Sequence, residues 1–309
     1  STRATDPRVR GCAFECLVRI TSSYYDKLAS YMQSIFNVTV GLIQQSADKE
    51  EVLLQAIEFW SNLCDIELML AENEADAIAS NTPIDPSEKC QRFVKGAQRY
   101  LVEALCSALL KQDEDAEPEQ WDPPAAAATC LSLVAQCVGD EIMQSVLAFV
   151  QKNINGTEWN ARHAATLAFG SIMEGPQQIT QLINSPGVID TLLAHLKDEN
   201  ELVRDTTAWT LGRILMLHHT SITTVPDRFQ KVVAGLVAGF KDVPRVAAVC
   251  CWGIGNLAGS LNSRPTPATS LLSPFFEPLA GELLTAADRA DADKALRGAA
   301  YAALSALVS

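Results

Sequence analysis

Five carboxylates lie close together between Lys111 and Trp121, in the stretch KQDEDAEPEQW. They are Asp113, Glu114, Asp115, Glu117 and Glu119. A connection between two helices usually needs only about 2 to 8 residues, so this acidic loop is longer than its joining role requires. Such a cluster attracts basic partners, but runs of like charge are also common on solvated surfaces. Taken alone, the loop therefore leaves a binding role and a solubilising role open.

Three tryptophans have the chemistry to hold cationic side chains. Trp121 follows the acidic run, and Trp209 and Trp252 stand 43 residues apart. An indole face attracts a guanidinium or ammonium group by about 0.5 to 2 kcal/mol, and the stems of Arg and Lys cover apolar surface beside it. A tryptophan within a helix is nevertheless more often part of the core. Both interpretations stay open at this point.

Carboxylates at helical spacing accompany the tryptophans. Glu58 and Asp65 are two helical turns apart and share a helix face, and Asp205 lies one turn before Trp209. Each could be a solvated helix charge. Their recurrence favours a surface that pairs with the charged heads of Arg and Lys side chains.

No motif of an enzyme active site is present. The chain has no P-loop, no GxGxxG and no HExxH motif. Asp65 and Glu67 do not share a helix face, which leaves general acid–base catalysis without a paired carboxylate. The sequence therefore predicts a protein that is not an enzyme and that needs no cofactor.

Cysteine and histidine spacing predicts no metal site. The nine cysteines are odd in number and lack paired CxxC spacing, which favours reduced thiols in a cytosolic or nuclear protein. His218 and His219 are adjacent near a predicted helix end, where they would complement the helix C-terminus. His163, next to Arg162, is expected to be a partly exposed helix residue.

Composition narrows the function classes further. The 309 residues are 48% hydrophobic and 6% aromatic, and they carry a formal net charge of -13 without any basic stripe. Direct binding of nucleic acid is therefore not expected. No secretory signal and no run of ~20 uncharged apolar residues is visible, so we expect no membrane span. The chain starts without methionine and stops within an apolar helix, and we expect it to be a piece of a longer protein.

A similar sequence pattern recurs along the whole chain. Each copy has a polar start, a small or branched apolar residue and a helix rich in small residues; the marker residues are Val9, Val52, Ala125, Ala161, Val203, Val246 and Leu296. Their spacings are 43, 73, 36, 42, 43 and 50 residues, and most lie near the ~40–47 residues of a HEAT or armadillo unit. The longest interval contains the acidic loop.

Partner helices of apolar period lie between the repeated helices. They are predicted at about 26–45, 87–111, 140–154, 178–197, 227–240 and 271–287. Pro86, Pro123, Pro226 and Pro244 stand near predicted helix starts, and strand signals are lacking. The pattern predicts an all-α fold, an α-solenoid of stacked antiparallel helix pairs of the HEAT type. We expect one array over residues 1–309, with about six repeats, partial at both ends, and an acidic insertion at 112–121.

Four stretches resemble the importin-β (karyopherin-β) family of nuclear import receptors. They are EFWSNLCD at 58–65, the acidic run ending in Trp at 113–121, AFGSIMEGP at 168–176 and TTAWTLGRI at 206–214. The resemblance covers essentially the whole chain, and the motifs occur in the same order as in the family. The chain resembles a central portion of the family's HEAT array. The alternative is another HEAT-repeat protein-binding scaffold or a related karyopherin.

The resemblance implies a receptor that works in cytoplasm and nucleus and at the nuclear pore and envelope. It would bind the basic N-terminal segment of importin-α, or a basic cargo, through Glu58, Asp65, Trp121, Asp205, Trp209 and Trp252. The acidic loop residues Asp113, Glu114, Asp115, Glu117 and Glu119 would contact Ran in its GTP form and the basic partner. Phe-Gly nucleoporins would bind Tyr31, Ile35 and Val38.

The acidic loop departs from the family pattern of a nearly continuous aspartate run. Ala116, Pro118 and Gln120 interrupt it here. The undiluted charge lies before Ala116, so we expect the carboxylates at 113–115 to matter more than those at 117 and 119.

Overall fold

The computed structural model describes residue 4 and residues 6–45, 50–113, 121–262 and 271–308. Over these ranges the chain forms α-helices and short 3-10 helices and no strand, which confirms the all-α prediction. The α-helices are α1 (Pro7–Ser23), α2 (Met32–Gln45), α3 (Glu50–Ala79), α4 (Phe93–Leu109), α5 (Pro123–Val138), α6 (Met143–Asn153), α7 (Trp159–Ser171), α8 (Ile179–Ile183), α9 (Val188–His195), α10 (Glu201–Leu217), α11 (His219–Thr223), α12 (Pro226–Gly239), α13 (Pro244–Asn262), α14 (Phe276–Ala287) and α15 (Lys294–Val308).

Proline and side-chain caps start several of these helices. Pro123, Pro226 and Pro244 are the first residues of α5, α12 and α13, as their positions in the sequence predict. The carboxylate of Asp122 accepts a hydrogen bond from the backbone of Ala125 and caps α5. These local signals explain why the starts of the repeated helices can be located from sequence alone.

Several of the predicted partner helices are shorter than expected. The stretch 26–45 divides into a 3-10 helix, Tyr25–Ser30, and α2, and the stretch 178–197 divides into α8 and α9 at Gly187, whose φ is 84°. Pro86 opens only a 3-10 turn, and α4 starts at Phe93 after Arg92 takes a φ of 57°. Apolar periodicity in the sequence does not report such breaks, because apolar residues occur on both sides of them.

The first compact unit comprises residues 1–153 and 174–177. Within it α1, α3 and α5 pack in one row, and α2, α4 and α6 pack in a second row against it. Trp60 of α3 is fully buried between the rows, and its indole nitrogen donates to Thr39 of α2 at 3.0 Å. Trp60 is thus a structural tryptophan.

A buried carboxylate ties three elements of this unit together. Glu67 of α3 accepts hydrogen bonds from the Tyr25 hydroxyl at 2.9 Å and from the backbone of Phe93 and of Val94. The last two are N–H groups that the first turn of α4 leaves without a helical acceptor, so Glu67 stabilises the start of that helix. Burial raises the pKa of Glu67 although these hydrogen bonds oppose the shift.

The second compact unit comprises residues 154–173 and 178–309. Here α7, α10, α13 and α15 pack side by side, with α9, α12 and α14 against them. Three of the long helices thus have a partner, α10 with α9, α13 with α12 and α15 with α14, and these pairs repeat along the unit. This is the packing that helical repeats need, since a single pair cannot bury its own apolar face.

Arginine–aspartate pairs link successive helix pairs of the second unit. Arg162 of α7 binds Asp198 through two nitrogens at 2.7 and 2.8 Å, and Arg204 of α10 binds Asp242 at 2.6 and 2.7 Å. Both aspartates lie in the turn that precedes the next long helix. Burial opposes their ionisation, but the arginine hydrogen bonds hold the pKa of each carboxyl below its usual range. Two-pronged pairing of this kind fixes the turn in distance and orientation.

One helical stretch in the described ranges, Pro123–Asn153, is long and apolar enough to cross a membrane. The sequence prediction of no membrane span did not anticipate this. A single stretch of this type is weak evidence, because core helices pass the same test. The stretch is also interrupted by the 3-10 helix Gly139–Ile142, which contains Asp140 and Glu141.

The expectation that His163 is partly exposed is wrong. Its side chain is 5% exposed and lies edge-on to Trp159 in α7. Burial lowers its pKa to about 4, and the charge of Arg245 on α13 adds to the effect. The charge of Arg245 acts on His163 from more than 80 positions away in the chain, and local sequence does not report such an environment.

We predict that His163 makes the chain less stable as the pH falls from about 6.5 to about 4. In this window the unfolded chain takes up a proton on His163, with an ordinary pKa near 6.5, that the folded chain does not bind. The free energy of unfolding therefore decreases as the pH is lowered, by on the order of 2 to 3 kcal/mol for this group. Urea denaturation followed by circular dichroism at several pH values measures the effect.

The variant His163→Gln should lose this contribution, so the difference between it and the parent chain should shrink as the pH falls. His219→Gln, at a residue that is not buried, is the matched control and should follow the parent curve. Parallel stability curves for the parent and His163→Gln would contradict the prediction.

Candidate functional site

The indole of Trp209 lies against a glycine of the neighbouring helix. A Cβ added at Gly170 of α7 would come within 2.5 Å of Cζ3 of Trp209 on α10, so only glycine leaves room for the ring. The tryptophan side chain is part-exposed, not buried. Trp209 is therefore placed between core and solvent, with its benzo ring supported by backbone.

Trp252 repeats this arrangement one helix further along the unit. Its Cζ3 and Cε3 atoms lie against Gly212 of α10, where an added Cβ would collide with the ring, and its side chain is also part-exposed. Trp209 and Trp252 thus occupy equivalent positions on neighbouring helices. Each presents an indole that is rigidly held and open to solvent on part of its surface, which suits contact with a cationic side chain.

Arg213 already lies over the Trp209 ring. Its Cζ atom is 5.5 Å from the ring centroid, within cation–π range. The two residues are four apart on α10, so they share a helix face. The sequence analysis did not predict this contact, although the spacing of four residues between Trp209 and Arg213 is visible in the sequence.

Asp205 does not present a free carboxylate beside Trp209. Its side chain is largely buried, and Oδ2 accepts a hydrogen bond from Nε of Arg245 at 3.0 Å. Burial raises the pKa of Asp205, and Arg245 only partly offsets this. The residue shares a helix with Trp209, as predicted, but its carboxylate holds α10 to α13.

Glu58 and Asp65 are exposed on α3, in the first unit. Burial raises the pKa of the Cys130 thiol on α5, and both carboxylates contribute to that shift. They therefore lie on the side of α3 that faces α5, as residues two turns apart should. This placement agrees with a shared acidic face.

Trp121 and Asp113, at the two ends of the acidic loop, are exposed in the first unit. The Trp121 side chain is 55% exposed. The predicted loop residues Glu114, Asp115, Glu117 and Glu119 lie outside the described residues.

The predicted Phe-Gly contact residues lie on one face at the start of α2. Tyr31 is 64% exposed and precedes the helix, and Ile35 and Val38 are part-exposed one and two turns later. Beside them Phe36 packs edge-on against Tyr100 of α4, with ring centroids 6.0 Å apart. The sequence interpretation did not include this aromatic pair, because Tyr100 comes from a different helix.

No cluster of His, Cys, Asp or Glu side chains within the described ranges could hold a metal ion. All nine cysteines lie within these ranges as free thiols, and Cys12 and Cys16 are exposed.

Two family models match parts of the chain. The importin subunit beta-1-like model of TPR repeats matches residues 231–309, and a HEAT-like repeat model matches residues 159–214. Among curated proteins, importin subunit beta-1 of Arabidopsis thaliana is 39% identical over all of this chain and 35% of its own length. Importin subunit beta-1 of Saccharomyces cerevisiae is 33% identical over all of this chain and 34% of its own length.

Solved structures agree with these relatives. Yeast importin-beta (Kap95p) superposes with a TM-score of 0.90 at 33% identity, over 99% of this chain and 34% of that one. Kap95p with RanGDP gives a TM-score of 0.88 at 33% identity, and Kap95 with Nup1 gives 0.89 at 32%. Both matches cover 99% of this chain. They cover 35% of the Kap95p chain in the RanGDP structure and 34% of the Kap95 chain in the Nup1 structure.

The chain spans about a third of the length of the curated relatives it matches. Because these relatives are importin subunits, the prediction that the chain is not an enzyme is confirmed. The HEAT-repeat α-solenoid is confirmed as well. On sequence, repeat type and fold, this chain belongs to the importin-β (karyopherin-β) family.

Proposed function

We propose that this chain is the part of a nuclear import receptor that binds a basic segment. The segment would be the basic N-terminal part of importin-α or a basic region of a cargo. The observation that carries the proposal is the pair of part-exposed indoles, Trp209 and Trp252, held at equivalent positions on neighbouring helices. A net charge of -13 would speed the capture of such a partner.

Acidic groups of the first unit support the same proposal. Glu58 and Asp65 are exposed on one face of α3, and Trp121 is exposed beside the acidic loop. They would pair with Arg and Lys heads, whereas the buried Asp205 would act indirectly by positioning α10 against α13. Exposed pairs of this kind contribute mostly to encounter rate and specificity.

The proposal extends to Ran in its GTP form and to Phe-Gly nucleoporins. Complexes of Kap95p with RanGDP and of Kap95 with Nup1 support it, since both contain relatives of similar fold and about one-third identity. The acidic loop is the candidate Ran contact, and the α2 face of Tyr31, Ile35 and Val38 is the candidate Phe-Gly contact. A receptor with these partners would move between cytoplasm and nucleus through the pore.

Removing either indole should weaken binding of a peptide rich in Arg and Lys. We expect Trp209→Ala and Trp252→Ala each to raise the Kd roughly 2- to 30-fold, the range that one cation–π contact supplies. Fluorescence anisotropy with a labelled peptide measures this. Binding should also weaken steeply as ionic strength rises, because charge attraction contributes to it.

Trp159→Ala is the matched control, since Trp159 is also part-exposed but packs on His163. It should leave the Kd unchanged, and circular dichroism should show that all three variants fold. Salt-independent binding, or no binding of the peptide to the intact receptor, would exclude the proposed function.

For the Phe-Gly contact, Tyr31→Ala should reduce retention of the chain on an immobilised Phe-Gly peptide, because an exposed ring on α2 is lost. Tyr301→Ala, at an exposed tyrosine of α15, is the control and should be retained as the parent is. Equal retention of both variants would remove α2 from the proposal.

For the acidic loop, we expect the carboxylates before Ala116 to carry more of the binding than those after it. Neutralising Asp113, Glu114 and Asp115 together, as Asn, Gln and Asn, should weaken binding of basic peptide and of Ran-GTP by the intact receptor. The change of Glu117 and Glu119 to Gln should have a smaller effect. If the first variant binds both partners normally, the loop is only solvated surface.

A further inference from the structure

Trp209 and Trp252 differ in one respect although their packing is equivalent. The residue four positions after Trp209 is Arg213, whose guanidinium lies 5.5 Å from the centroid of the Trp209 ring. The residue four positions after Trp252 is Asn256, whose amide donates to the backbone carbonyl of Gly212 at 3.2 Å. A cation is thus supplied to one indole by its own helix, and a neutral amide stands at the same place beside the other.

The Trp209 ring has limited surface to offer. The Cζ3 and Cε3 atoms of the ring pack against Gly170, and the guanidinium of Arg213 lies over the ring. A guanidinium from a partner would meet the same attractive ring surface that Arg213 uses. It would also meet a like charge at close range, which opposes its approach.

We propose that Arg213 is a built-in occupant of the Trp209 cation site and a determinant of specificity for basic partners. A partner cation binds at Trp209 only by displacing Arg213 or by sharing the ring with it. Trp252 takes a partner cation without this competition. The inference rests on the proposed binding of basic segments, and it assigns unequal roles to the two tryptophans.

This competition means that a partner cation must bind Trp209 better than Arg213 does before the second contact forms. A segment with one well-placed Arg or Lys gains its contact at Trp252, whereas a segment with two must also displace Arg213 to gain the second. A segment with two cations would therefore be held less tightly than an empty pair of indoles would hold it, because its second contact requires the displacement of Arg213. Discrimination against a wrong partner often comes from such a repulsive element.

The test is the affinity of a labelled Arg- and Lys-rich peptide for single-site variants, measured by fluorescence anisotropy. Arg213→Gln should tighten binding about two- to tenfold, because it removes a competing cation–π contact. Arg213→Lys keeps a cation at the site and should stay within about twofold of the parent. Asn256→Arg places a cation beside Trp252 and should weaken binding, with circular dichroism to verify folding because Asn256 bonds to Gly212.

Two controls separate competition at the ring from a change in overall charge. Lys241→Gln removes one positive charge from an exposed residue that follows α12, and its effect should be smaller than that of Arg213→Gln. In a Trp209→Ala background, Arg213→Gln should give no gain. The gain must therefore depend on the indole.

Failure of this inference can be told from failure of the proposed function. If the parent chain binds no basic peptide, the proposed function fails and this inference fails with it. If the parent binds, and Arg213→Gln binds equally or less tightly, or gains affinity without Trp209, the proposed function stands and the role of Arg213 is overturned.

Discussion

The second unit depends on part-buried arginine–aspartate pairs between successive helix pairs. Arg162 with Asp198 and Arg204 with Asp242 each join a long helix to the turn that leads into the next one. Apolar packing of Ala, Leu, Val and Ile side chains supplies most of the stabilising free energy, but it tolerates sliding. A two-pronged ion pair does not, since it fixes both distance and angle. The same neighbouring helices, α7 with α10 and α10 with α13, are those on which each tryptophan meets the glycine of the preceding helix.

The acidic loop occupies a place equivalent to those aspartate turns. Asp198 and Asp242 each follow a partner helix and precede a long helix in the chain, and residues 112–121 come in the same order between α4 and α5. In the second unit, arginine from a neighbouring helix neutralises the turn. In the first unit, α3 stands where α7 and α10 supply their arginine, and it contains no arginine at all. The chain thus uses one position of its repeat for internal pairing in some copies and for a large negative insertion in another.

Much of the fold, but less of the site, could be predicted from sequence. Proline and small-residue patterns located α5, α10, α12 and α13, because helix starts are local signals. The pKa shift of His163 and the pairing of Asp205 both involve Arg245, which belongs to another helix, so no local pattern reports them. The tryptophan–glycine contacts are also tertiary, although glycines recurring at 170 and 212 could have suggested them. The single array over 1–309 and the assignment of the binding residues stay predictions.

The packing of each tryptophan on a glycine of the preceding helix also sets the distance between the two indoles. Helices packed side by side have axes about 8 to 10 Å apart, so indoles at equivalent positions on α10 and α13 recur at about that interval. A helical partner advances ~1.5 Å per residue and would meet both indoles with cations about five to seven residues apart. In an extended partner the two cations would be about three residues apart. At α15 the series stops, since the residue that faces Gly255 is Ala303 and not a tryptophan. The distance between two basic residues, and not only their number, would then decide which segments fit.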